Sequence, residues 1–188
     1  MNIGKALFRF LIIVGLGTTI TNCGSENGAP AGSTIEISPK EKKWDTSATA
    51  GPPFSFNDQP IVVTVKGPNG KPLNDVEITV SLDLSLGTTP PGDALMFLFE
   101  DVDGNGVADP AGYTGPGSPM ALTDLAAGAL PLPYRTKVGA FGSKQFVLRM
   151  AFFGGILSYK GDLNVVSGSA FGSANFEVKC VDGAIACP

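Results

Sequence analysis

The chain has 188 residues, 43% hydrophobic and 16% charged, with 25 Gly, 15 Pro, 3 Cys and no His. A net charge of -4 speaks against a nucleic-acid partner, which needs a basic footprint, and the missing His removes the commonest general base and zinc ligand. Gly and Pro are abundant, yet the apolar fraction is too high for a disordered chain, and the length suits one domain.

Residues 1–22 read as an export signal. Lys5 and Arg9 supply the positive start, and Phe10-Leu11-Ile12-Ile13-Val14-Gly15-Leu16-Gly17 forms an apolar core that ends near Ile20. That core is short for a membrane span, which needs about 20 apolar residues. Two cleavage points compete. Ala29-Pro30-Ala31 has the A-x-A form of ordinary secretion but lies far beyond the apolar core, and it ranks second. Ile20-Thr21-Asn22-Cys23 resembles a bacterial lipobox, with Asn22 where Gly, Ala or Ser is usual. The resemblance implies diacylglycerol on Cys23 and anchoring in a membrane. Gly24, rather than Asp, implies onward sorting to an outer membrane or cell surface. Residues 24–33 (GSENGAPAGS) then read as a flexible tether spanning roughly 16–19 Å.

The three Cys fit that reading. An odd count in an exported chain needs explaining. With Cys23 lipidated, Cys180 and Cys187 remain as one pair around the turn signal Asp182-Gly183, closing a short loop at the C-terminal end of the last strand. Processing before Cys23 leaves 11 basic against 17 acidic residues, a net charge of -6.

In residues 34–188 the recurring hydrophobic period is two, as half-buried strands require. Strands are expected over Thr34–Ser38, Ile61–Lys66, Val76–Leu82, Ala94–Glu100, Tyr134–Val138, Phe146–Phe152, Gly155–Lys160, Leu163–Ser167 and Ser173–Cys180. Turn signals separate them, among them Gly67-Pro68-Asn69-Gly70 and Lys160-Gly161-Asp162. Many short strands without crossover helices indicate an all-β antiparallel sandwich. Trp44 is expected to pack over its edge.

Ile61–Leu82 (IVVTVKGPNGKPLNDVEITVSL) resembles the second and third strands of bacterial immunoglobulin-like domains of the invasin/intimin type, and Leu163–Val178 is similar to their terminal hairpin. The departure is a long acidic insertion around 83–128. The resemblance implies an immunoglobulin-like β-sandwich that displays, spaces or adheres and does no chemistry.

No basic residue falls between Lys71 and Arg135, whereas Arg135 to Lys160 is basic without an acid. Complementary strand pairing is the expected reason. Within the acidic part, Asp101-Val102-Asp103-Gly104-Asn105-Gly106-Val107-Ala108-Asp109 matches the first half of a calcium loop. The ligands would be Asp101, Asp103, Asn105, the Val107 carbonyl and Asp109, but Gly112 stands where position 12 should supply a carboxylate. An ordinary polar turn is the competing reading.

No His-dependent triad, S-x-x-K, G-x-S-x-G, P-loop or dinucleotide fingerprint occurs. The expectation is therefore a lipid-anchored, non-catalytic envelope protein serving adhesion, surface structure or complex assembly, with a protein or carbohydrate partner at the cell surface. The alternative is a calcium-dependent carbohydrate- or small-ligand-binding sandwich that uses the 83–128 insertion.

Overall fold

The structure is a computed structural model, and it describes residues 27–46, 54–86, 96–108, 126–153 and 159–180. The described chain forms nine strands: β1 (Thr34–Ser38), β2 (Glu41–Thr46), β3 (Phe54–Lys66), β4 (Glu77–Leu86), β5 (Met96–Glu100), β6 (Tyr134–Lys137), β7 (Ser143–Phe153), β8 (Tyr159–Ser167) and β9 (Ala170–Cys180). One sheet has the order β1-β3-β7-β5 and the other β2-β9-β8-β4-β6.

The expected alternation sets the inward faces. Ile61, Val63 and Val65 on β3 and Phe146, Leu148 and Met150 on β7 meet Ile78 and Val80 on β4, Leu163 and Val165 on β8, and Phe176 and Val178 on β9. All are buried. At 25 cal/mol or so per Å² of apolar surface removed from water, this two-sided core is the main stabilising term.

This is an all-β sandwich with immunoglobulin-like strand order. If β1 and β2 are taken as one strand shared between the sheets, the order is A-B-E-D against G-F-C. The added edge strand β6 pairs with β4 but follows β5 in the chain. Two expectations need correction. The sandwich is not purely antiparallel: β2 runs parallel to β9, with Trp44 opposite Val178. After β1 has paired with β3, the chain breaks at Pro39, which has no N–H for a ladder, and changes sheets. Nor does Lys160-Gly161-Asp162 turn the chain; β8 runs straight through it, paired on both sides. Gly161 is there for space, because a Cβ at that position would collide with the Met96 sulfur.

Trp44 behaves as expected, half-buried on an edge strand with its ring centroid 6.4 Å from that of Phe176. The 83–128 stretch is partly regular structure. It supplies the end of β4 and all of β5, which holds the place of strand D.

Candidate functional site

The acidic loop leaves β5 at Glu100 and lies over the outer face of the β1-β3-β7-β5 sheet. Its backbone is folded by its own side chains. Asp101 Oδ1 accepts the Gly104 N–H at 2.9 Å and Oδ2 that of Gly106 at 3.1 Å. Asp103 Oδ1 accepts from the Asn105 N–H, and Asn105 Oδ1 from the Val107 N–H at 2.7 Å. The Asp103 and Asn105 bonds are the Asx turns that short polar side chains favour. Gly104 and Gly106 both take positive φ, a conformation that is costly with a Cβ.

Asp101, Asp103, Asn105 and Val107 therefore sit on one loop as the spacing predicts. Asp109 lies outside the described residues. Among the described residues no three His, Cys, Asp or Glu side chains group to hold a metal. Two carboxylates and an amide, engaged with backbone N–H groups, do not by themselves complete the six to eight oxygens of a calcium sphere.

The loop ends on a feature the sequence reading missed. The Ala108 N–H donates to Asp58 Oδ2 at 3.3 Å. Asp58 in turn accepts two bonds from Arg149, Nε to Oδ1 at 2.7 Å and Nη2 to Oδ2 at 2.8 Å. Arg149 is 1% exposed, and its guanidinium carbon lies 4.4 Å from the Phe56 ring centroid and 5.1 Å from that of Phe99. Beside it Phe99, Ala108 and Val147 form a second small core, packed against Phe97 and Ala129. The outer face of this sheet is thus covered around Arg149 and Val147, and part of the 83–128 stretch is the cover. A signal was available in β7, where Val147 occupies an outward position that a solvated face would fill with a polar group.

A third cluster lies at the margin between the sheets. Glu100 on β5 accepts from Tyr134 Oη on β6 at 2.8 Å and pairs with Lys144 on β7. Burial holds the Lys144 ammonium below its ordinary pKa. The group joins three strands, one of the complementary pairings expected from the opposite charge of the two stretches. Across the other sheet, Glu77 stands opposite Lys137 in the β4–β6 register.

The N-terminal junction is the last element. Of the stretch expected as a loose tether, residues 27–33 are held by the domain. The Asn27 carbonyl accepts the Glu77 N–H at 2.9 Å. The Ala29 N–H donates to Ser167 Oγ at 3.0 Å, and that hydroxyl donates on to the Glu77 carbonyl. Ala29 is 4% exposed and belongs to the main core. Cys23 and Cys187 lie outside the described residues, and so does the expected disulfide. Cys180 ends β9, in register with Thr46.

No family model matches the chain, and no curated protein does. Among solved structures it is similar to a conjugative transposon lipoprotein from Bacteroides eggerthii, at 12% identity over 78% of this chain and 98% of that one, with a TM-score of 0.38. It is also similar to a family 123 glycoside hydrolase from Clostridium perfringens, at 9% identity over 80% of this chain and 27% of that one, with a TM-score of 0.36. No role follows for this chain from likenesses of that degree.

Proposed function

We propose that this protein is an exported envelope lipoprotein, anchored through acylated Cys23, whose immunoglobulin-like sandwich serves adhesion, surface structure or complex assembly without catalysis. One observation carries the choice of Cys23. Cleavage after Ala31 would remove Ala29 from the core, together with the bonds from Asn27 to Glu77 and from Ala29 to Ser167. Cleavage before Cys23 keeps them all. The fold thus favours the lipobox over the secretory A-x-A pattern.

The non-catalytic reading is supported by how the ionisable groups are used. Arg149 and Asp58 bind each other beneath a loop, and Glu100, Lys144 and Tyr134 bind one another between strands. Each group is spent on cohesion. The described part of the 83–128 stretch covers a sheet face rather than framing an open site, which favours display over the small-ligand alternative.

The test is palmitate labelling with cell fractionation of the wild type and Cys23→Ala. Label and membrane recovery in the wild type, with both lost in the variant, are expected. Wild-type protein recovered unlabelled and soluble, with an N-terminus at Gly32, would refute the proposal.

A further inference from the structure

We propose that the pole of the sandwich carrying the N-terminal junction faces a lipid bilayer and that Phe141 and Phe171 enter its interfacial region. The inference rests on acylation of Cys23 and adds an orientation to it.

The first argument is reach. Only Gly24, Ser25 and Glu26 separate Cys23 from Asn27, whose carbonyl is fixed to the Glu77 N–H. Four Cα steps extend at most about 14 Å. Asn27, bonded to the start of β4, therefore stays within that distance of the acylated residue. Ser85, eight residues along the same strand, lies about 27 Å further on. A leash shorter than the domain is long gives the two poles different surroundings.

The second argument is what the near pole displays. Gly32 lies against Pro68 in the β3–β4 turn, Gly142 against Leu73, and Gly168 against Ala29, so the connections β3–β4, β6–β7 and β8–β9 gather there with the junction. In the β6–β7 connection, Phe141 has φ 60° and is 82% exposed. A bulky residue in the left-handed region is costly, and here its ring buries little in return. Phe171, 62% exposed, is the second residue of β9 and stands opposite the exposed Val166. Lys71 and Lys137 are exposed in the same region, beside the exposed Asp75 and near Asp101, so the pole carries both signs of charge. Exposed aromatics with nearby Lys suit the headgroup layer, where rings enter the interface and cations meet anionic lipid. A protein partner would also accept exposed Phe, but the leash already holds this end at a membrane.

The test uses the full-length lipidated protein in vesicles of phosphatidylcholine and phosphatidylglycerol with brominated acyl chains. In a Trp44→Phe background, tryptophan is placed by Phe141→Trp, Phe171→Trp or Ser85→Trp. Severalfold quenching of the first two, with the third unchanged, is expected. Equal emission at all three positions, or stronger quenching from Ser85→Trp, overturns the orientation. Wild-type protein provides a second measurement free of substitutions: hydrogen exchange at 139–142 and 168–171 should slow in vesicles relative to detergent, while 83–86 and 159–161 do not change. No slowing overturns the inference. Protein that fails to float with the vesicles at all overturns the anchoring reading and this one with it, whereas flotation without these signatures overturns the orientation alone.

Discussion

Removing the carboxylate of Asp58 should be among the most damaging single changes available outside the main core. Asp58→Ala leaves the Arg149 guanidinium, 1% exposed, with neither of its bonds at 2.7 and 2.8 Å. Its only remaining compensation among the described residues is the two flanking rings, Phe56 and Phe99. An uncompensated buried charge costs about 3–5 kcal/mol. The Ala108 N–H loses its acceptor as well, so the loop is released with it. Arg149→Met is the instructive contrast. Its Met fills much of the same volume, and the Asp58 side chain, 12% exposed, regains water more readily than the buried Arg would. About 1–3 kcal/mol is expected for that change. The double variant should cost less than the two single costs added together, because it leaves no unpaired charge. Urea unfolding followed through Trp44, the single tryptophan, measures all four proteins. Asp58→Ala should lower Tm by about 6–20 °C, at 2–4 °C per kcal/mol for a chain of this size. Additive single costs, or Asp58→Ala milder than Arg149→Met, would refute the reasoning.

Three further outcomes are expected. Ser167→Ala should destabilise by about 1–3 kcal/mol in the same assay, since the hydroxyl bridges the Ala29 N–H and the Glu77 carbonyl and both lose a buried partner; no loss would mean that residues 27–33 are not held as described. Burial pushes the Tyr159 phenol well above its ordinary pKa of 10.0. The unfolded chain ionises there first, so this group's contribution to stability is complete below pH 10.0 and falls as pH rises beyond it. Absorbance of its phenolate, identified by difference from Tyr159→Phe, should emerge only together with unfolding. Finally, the loop 101–108 gets its shape from Asx turns, so calorimetry with millimolar calcium should show no heat and Tm should not move. A saturable exotherm abolished by Asp101→Asn would instead assign the loop to calcium.

Much of the sandwich was legible in the sequence, because a strand with one buried face writes its period directly into the chain. Val76, Ile78, Val80 and Leu82 are one such line, and all face or flank the core. The turn signal at Gly161 fails for a related reason. A glycine that makes room for Met96 and a glycine that turns the chain look alike without the opposite sheet. β2 escaped notice because Glu41-Lys42-Lys43-Trp44 is charged, and its single large apolar residue finds Phe176 only across a parallel pairing.

The sequence by itself determined the strand periodicity, the turn chemistry of the acidic loop and the lipobox-like start, since each is set by neighbours a few residues apart. Only the tertiary structure decided that Arg149 pairs with Asp58, 91 residues away, and that Ala29 is fastened to Ser167, 138 residues away. Partners at such separations are chosen by which faces the packed sheets bring together, and burial then makes the pairing costly to lose. That choice belongs to the assembled sandwich and leaves no mark in local pattern.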